Sequence, residues 1–294
     1  MTLEELHQAV TQRLESAGVS YGHGTTCARD EAAWLVLWKL DLPLDTNLDE
    51  AGALSVSQEQ IASVDALIEQ RIATRKPAAY LTHEAWLQGV SFYVDERAIV
   101  PRSFIGELIA DATIDPWLSD ETLNVLDLCT GNGSLAVLAS MAWPDIKVTA
   151  ADISQDALAV ARINVDRHDL QERITLVHSD GLAHCPGPYD LVLCNPPYVN
   201  AASMEALPAE YRAEPELALA GGEDGMDFIR QLLADLPGRL SVQGVVVLEI
   251  GNEQTHFEAA FPGLEVFWLD TSIGDDQVLL LTADALRRWS QLSS

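Results

Sequence analysis

From residue 103 onward, short apolar runs alternate with helical stretches. The runs are "NVLDLC", "KVTAAD", "ITLVHS", "YDLVLC", "GVVVLEI", "LEVFWLD" and "QVLLLT". Strands separated by helices imply a mostly parallel sheet covered on both faces, because each parallel step needs a crossover long enough to hold a helix. The last two runs are joined only by "TSIGDD". That is too short for a crossover, so this pair is expected to be antiparallel. The expected fold class is therefore α/β, Rossmann-like, with seven strands.

The first 80 residues show helical patterns only. "ARDEAAWLVLWKL" places Trp34, Leu35 and Trp38 on one face with Leu37 beside them, a core stripe. Ser57 and Gln60 form a capping box, followed by Ile61, Val64, Leu67, Ile68 and Ile72 at helical spacing. "YLTHEAWLQGVSFYVDERAIVPRS" is rich in aromatic and β-branched residues around a central Gln-Gly, and reads as a hairpin. The expected organisation is a helical domain over 1–80, a hairpin linker over 81–102 and an α/β domain over 103–294.

The chain has 294 residues, 48% of them apolar, enough for a sizeable core. No run of 18 apolar residues appears, and "MTLEELHQAV" lacks the basic end of a secretory signal. A soluble cytoplasmic protein without membrane contact is expected. Net charge is −28, which disfavours direct nucleic-acid binding, since phosphates demand Lys and Arg. The four cysteines form no C-x-x-C pair and read as reduced, buried thiols; the seven histidines show no metal spacing, so no metal is expected.

The strand ends carry the chemistry. "DLCTGNGSLA" holds Asp127, Cys129, Thr130, Gly131, Asn132 and Gly133 where the backbone must turn tightly near a ligand. Asp152, with Ile153 after it, ends the second run where a carboxylate would accept ribose hydroxyls, and Ser154 caps the next helix. Asp180, after the third run, is placed to meet an adenine amino group. The spacing Gly131-x-Gly133-x-x-Ala136 also fits a dinucleotide. A nicotinamide dinucleotide and S-adenosyl-L-methionine both remain open on the glycine loop alone. Asp127, four residues before Gly131, tilts toward the second.

"NPPY", residues 195–198, follows the fourth run and decides between them. A delocalised amide or aromatic amine nitrogen is a weak nucleophile, so an enzyme acting on it must supply position. The Asn195 side chain accepts one N–H and donates to the substrate carbonyl, and the Pro196 carbonyl accepts the other N–H. Residues preceding proline are held extended, which stiffens both groups, Pro197 included. Tyr198 offers a flat face to a planar group.

With these motifs the chain resembles, over nearly its full length, the glutamine methyltransferases of the HemK/Prm family. The resemblance implies a helical N-terminal domain that recognises the target, a hairpin and a seven-stranded methyltransferase domain using S-adenosyl-L-methionine. It implies cofactor contacts from Asp127, Cys129 to Gly133, Asp152, Ile153, Asp180 and Asn195. Asn195 to Tyr198 would hold the glutamine, with Arg102 near the entrance beside Glu107 or paired with it. "YLTHEAWLQGVSFYVDERAIVPRSFIGELI" and "EYRAEPELALAGGEDGMD" look like the branch acting on large-subunit ribosomal protein three. The other branch acts on peptide release factors. An amino-group methyltransferase for ribosomal RNA is a further alternative, since such enzymes share the N/D-P-P-Y pattern. Cys129 stands where the family commonly has glycine, and Asn132 where it often has Ser or Thr. Residues 1–80 carry 12 acidic and 6 basic side chains and the remainder 33 and 11. An acidic catalytic region favours a free, basic ribosomal protein as partner, before or early in ribosome assembly.

Overall fold

In the computed structural model, which describes residues 1–292, five helices come first: α1 (Leu3–Ala17), α2 (Ala28–Lys39), α3 (Leu48–Ala51), α4 (Gln58–Thr74) and α5 (Ala78–Thr82). Two of them begin with capping boxes. Thr2 and Glu5 exchange bonds at α1, and Ser57 and Gln60 do so at α4 as expected. Leu3, Leu6, Val10 and Leu14 of α1 meet Leu35 and Val36 of α2 and Val64 and Ile68 of α4 in one apolar cluster. Trp34 and Trp38 pack partly buried against it.

The hairpin is β1 (Ala85–Leu87) against β2 (Val90–Phe92), with Leu87 opposite Val90. Its two turn residues, Gln88 and Gly89, have φ of 50° and 75°. Positive φ at both central positions gives the turn whose twist matches the strands, which is why Gly follows Gln here.

Then come α6 (Phe104–Ala110), β3 (Asn124–Leu128), α7 (Ser134–Ala142), β4 (Lys147–Asp152), α8 (Gln155–Arg167), β5 (Ile174–His178), β6 (Tyr189–Cys194), α9 (Ala201–Ala206), α10 (Asp227–Asp235), β7 (Leu240–Glu249), α11 (Gln254–Ala260), β8 (Phe267–Thr271), β9 (Gly274–Thr282) and α12 (Ala283–Leu292). The sheet runs β5-β4-β3-β6-β7-β9-β8. Pairings from β5 through β7 are parallel; β9 is antiparallel to β7 and to β8, as the short connection requires. Alternate strand residues serve opposite faces. Val125, Leu191, Leu193, Val247 and Leu280 pack toward α6 and α7. Leu126, Val192, Val246, Leu248 and Leu279 pack toward α10, α11 and α12. Among the described residues no helix is long and apolar enough to cross a membrane.

The helical region is joined to the hairpin by more than the chain. Tyr80 on α5 is fully buried, and its hydroxyl donates to the Ala98 carbonyl at 2.7 Å. Tyr80→Phe leaves that buried carbonyl unpaired and is expected to lower global stability by about 1–3 kcal/mol. Denaturant titration of parent and variant measures it, and an unchanged midpoint would contradict this role.

Candidate active site

The strand order places the site. Chain order turns outward in both directions from between β3 and β6, and ligands of open α/β sheets bind in that crevice. The loop after β3 and the motif after β6 therefore face each other across it.

The loop from Cys129 to Gly133 has φ of 61° at Cys129, 56° at Gly131 and 82° at Gly133. A left-handed Cys costs about 1–2 kcal/mol, a conformational reason for glycine to suit this position. At Gly133 a side chain would sit 3.1 Å from the Ala161 Cβ, so glycine also lets the loop lie on α8. Such a loop cannot bond to itself in a regular pattern, and two carboxylates hold it instead. Asp152 accepts from the Gly131 N–H at 2.9 Å and the Ser154 N–H at 2.8 Å. Asp127 accepts from the Thr130 hydroxyl and, at 3.0 Å, from the Ala136 N–H. Burial raises the pKa of Asp152 against the pull of those N–H groups, and pushes the fully enclosed Asp127 up to about 7.

A main cavity is lined by Cys129, Gly131, Asp152, Ile153, Asp180, Asn195 and Pro197. Ala98 and Ile99 after the hairpin close one side, and Pro215, Leu217 and Ala218 another. A smaller cavity adjoins it, lined by Arg102, Ser103, Thr130, Asn132 and Leu135. The two share Ile99, Cys129, Gly131 and Asn195, so Asn195 stands at their junction. Within the described residues neither the Asn195 amide nor the Pro196 carbonyl makes a hydrogen bond.

Asp127, Gly133, Pro196 and Tyr198 line neither cavity. Asp127 is buried beneath the loop and acts on it from below. Tyr198 is half-buried, its ring so close to Gly251 that an added Cβ there would lie 2.5 Å away. Its hydroxyl donates to Glu249 at 3.1 Å. Arg102 does not pair with Glu107. Its guanidinium takes Glu214 at 2.6 and 2.7 Å, while Glu107 accepts from the Ser272 N–H and hydroxyl at 2.7 Å. Burial opposes charge on Glu214, but Arg102 holds it at about 2. The expectation of four buried thiols fails at Cys27, which is exposed, and Cys129 is half-buried. A contact with Cys194, together with burial, raises the Cys129 pKa, which disfavours the thiolate.

Two supporting residues escaped the sequence reading. Asn164 on α8 is fully buried. Its amide donates to the carbonyls of Tyr93 (2.9 Å) and Asn132 (2.8 Å) and accepts from the Tyr93 N–H at 2.7 Å, fastening hairpin to loop. An Asn on the apolar face of a helix was the available signal. Glu214, buried in an irregular segment, had none. Glu249 is buried at the end of β7 and joins Ser103 (2.6 Å) and the Phe104 N–H (2.9 Å) to Tyr198.

A family profile described as Methyltransferase small domain matches residues 113–210, a stretch that includes the glycine loop and Asn195. The ribosomal protein uL3 glutamine methyltransferase of Burkholderia pseudomallei (strain K96243) is 50% identical over 97% of this chain and 95% of that protein. The protein of the same description from Bordetella pertussis (strain Tohama I / ATCC BAA-589 / NCTC 13251) is 52% identical over 97% and 96%. This chain belongs to the uL3 glutamine methyltransferase family. It is therefore a methyltransferase, and the dinucleotide reading of the glycine loop falls away. The fold extends further than the family. The hMettl16 catalytic domain in complex with MAT2A 3'UTR hairpin 1 is 16% identical, with a TM-score of 0.51 over 80% of this chain and 84% of that one. The same domain with hairpin 6 gives 15% and 0.52, over 81% and 86%.

The buried Asp127 yields a pH prediction. Its folded value near 7 lies above an unfolded value of about 3.9. The folded state thus holds an extra proton between those values, and its contribution to stability falls as pH rises through that window. Asp127→Asn is expected to flatten this slope, gaining stability relative to the parent from pH 5 to pH 8 in denaturant titrations. Parallel curves for parent and variant would show that the carboxyl does not titrate there.

Proposed function

We propose that this chain methylates the side-chain amide nitrogen of a glutamine in large-subunit ribosomal protein uL3, with S-adenosyl-L-methionine as donor. The observation that carries the reading is the Asn195 amide, unpartnered at the junction of two cavities, one of them bordered by two strand-end carboxylates. Relatives about half identical across nearly the whole chain are named for this reaction. Their name favours this target over release factors and ribosomal RNA.

The residues fit the donor. Asp152 spends one oxygen on the Gly131 N–H of the loop and the other on the Ser154 N–H before α8, which leaves each oxygen a lone pair for a ribose hydroxyl. Asp180 lines the same cavity and would take the adenine amino group. A Cβ added at Gly181 would meet nothing within 4 Å, and at Gly131 only the Cys129 carbonyl at 4.0 Å, so backbone is open to the ligand at both. When bound, the donor supplies a methyl group already activated by a positive sulfur.

The chain's own residues then supply alignment. Asn195 Oδ1 accepts one N–H of the glutamine amide and its Nδ2 donates to the glutamine carbonyl. The Pro196 carbonyl accepts the other N–H. Both acceptors sit before prolines and keep a fixed direction. The nitrogen loses one proton to water and gains one methyl group. Arg102, bound to Glu214, fixes one wall of the substrate-side cavity. The helical region over 1–80 recognises the target, the hairpin over 81–102 links it to the catalytic region over 103–294, and the reaction takes place in the cytoplasm.

Asn195→Ala is expected to slow methyl transfer by about 10²–10³, the usual loss for one preorganised polar contact, with donor affinity by calorimetry nearly intact. Near-normal turnover would refute the alignment role. The charge adds timing. An acidic catalytic region is repelled by ribosomal RNA and attracted to a free, basic ribosomal protein, so methylation precedes or accompanies early assembly. Free uL3 is expected to be methylated faster than intact large subunits, increasingly so at low salt. Equal rates on mature subunits, or a rate on free uL3 indifferent to salt, would overturn this order.

A further inference from the structure

One segment, residues 210–221, runs from the helical region to the active site. Arg71 on α4 is fully buried. Its guanidinium donates to Glu31 at 2.8 Å, to the Ser20 carbonyl at 3.0 Å and to Glu210 at 3.2 Å. Arg75 reaches the same Glu210 oxygen at 3.2 Å while bonding the Gly18 and Ala17 carbonyls at 2.8 Å. Four residues on, Glu214 receives Arg102 and the Val100 N–H at 2.9 Å. Between them the Tyr211 ring lies 4.3 Å from that of His23. Its hydroxyl would be 2.3 Å from a Cβ at Gly22, so only glycine fits there.

Beyond this grip the segment enters the site. Pro215, Leu217 and Ala218 form one wall of the main cavity. Val199, directly after the Asn195–Tyr198 motif, then donates to the Leu219 carbonyl at 2.9 Å and accepts from the Gly221 N–H at 2.9 Å. A buried guanidinium between two carboxylates is weak as a source of stability but strict about geometry, because a displaced partner leaves a charge unpaired.

We propose that Arg71 and Glu210 are positioning residues for methyl transfer: from the helical region they set the cavity wall at 215–218 and the strand-like support behind the Asn195–Tyr198 motif. The helical region is then part of the donor site as well as a platform for the target. The donor half of this statement rests on the proposed S-adenosyl-L-methionine cavity.

The test uses the full chain in two arms. In the cofactor-free protein, Glu210→Gln is expected to speed amide exchange at residues 218–221 about tenfold, while the central strands keep their protection. Titration with S-adenosylhomocysteine, the demethylated donor, is expected to show affinity weakened about five- to tenfold, a coupling of the usual size between linked sites. Arg75→Gln, which removes one of the two donors, is expected to act in the same direction and less. Arg13→Ala, which breaks the surface pairs to Asp65 and Glu69 on the same helical region, is expected to change neither reading. Unchanged exchange at 218–221 in both Glu210→Gln and Arg75→Gln would overturn the proposal. So would acceleration spread equally over the sheet, or faster exchange with unaltered affinity. The exchange arm needs no ligand and tests the hold on residues 218–221, while the affinity arm tests what that hold does for the donor. A parent protein that failed to bind S-adenosylhomocysteine would count against the donor assignment instead.

Discussion

The carboxylate of Asp152 is the interaction on which the rest of the site hangs. One group at the end of β4 receives an N–H from the loop after β3 and another from the start of α8. It thereby fixes a turn with three left-handed residues, a conformation that the chain has little reason to keep unaided. Its burial opposes its charge, so the loop is held by a group whose environment is tolerable only while those N–H donors are present. Asp127 below and Asn164 behind complete the frame, and each acts on the loop from a different element.

Much of the architecture was legible because it is written in local periodicity. Short apolar runs and their spacing specify the strands, the short stretch "TSIGDD" specifies one antiparallel pair, and the Ser57–Gln60 box marks a helix start. The motif residues were legible as well, since strand ends of an open sheet converge wherever the strand order reverses. What was not legible lies in pairings between residues far apart along the chain. Arg102 was read against its neighbour Glu107, yet its partner is Glu214, 112 residues away. No spacing rule announces that. Glu214 sits in an irregular stretch without period, and Asn164 is one amide within an amphipathic helix. Their roles follow from tertiary approach alone.

The acidic composition also reads differently once the side chains are placed. Glu31, Asp127, Glu214 and Glu249 are buried among hydrogen-bond donors. They belong to the internal framework and contribute little to the field at the surface. The charge that a basic polypeptide would feel is the exposed remainder, so total net charge overstates the part that steers.

The grip on Glu210 has a consequence for the order in which the molecule is made. Arg71 and Glu210 are 139 residues apart. On the ribosome the N-terminal helices emerge first and can assemble while the later segment is still unsynthesised. During that interval Arg71 has Glu31, within the same bundle, as its counter-charge, so the young helical region need not hold a bare buried cation. Glu210 arrives 139 residues later, and its docking closes a long loop onto helices that have already folded. Completion of the active site is thus a late event in biogenesis.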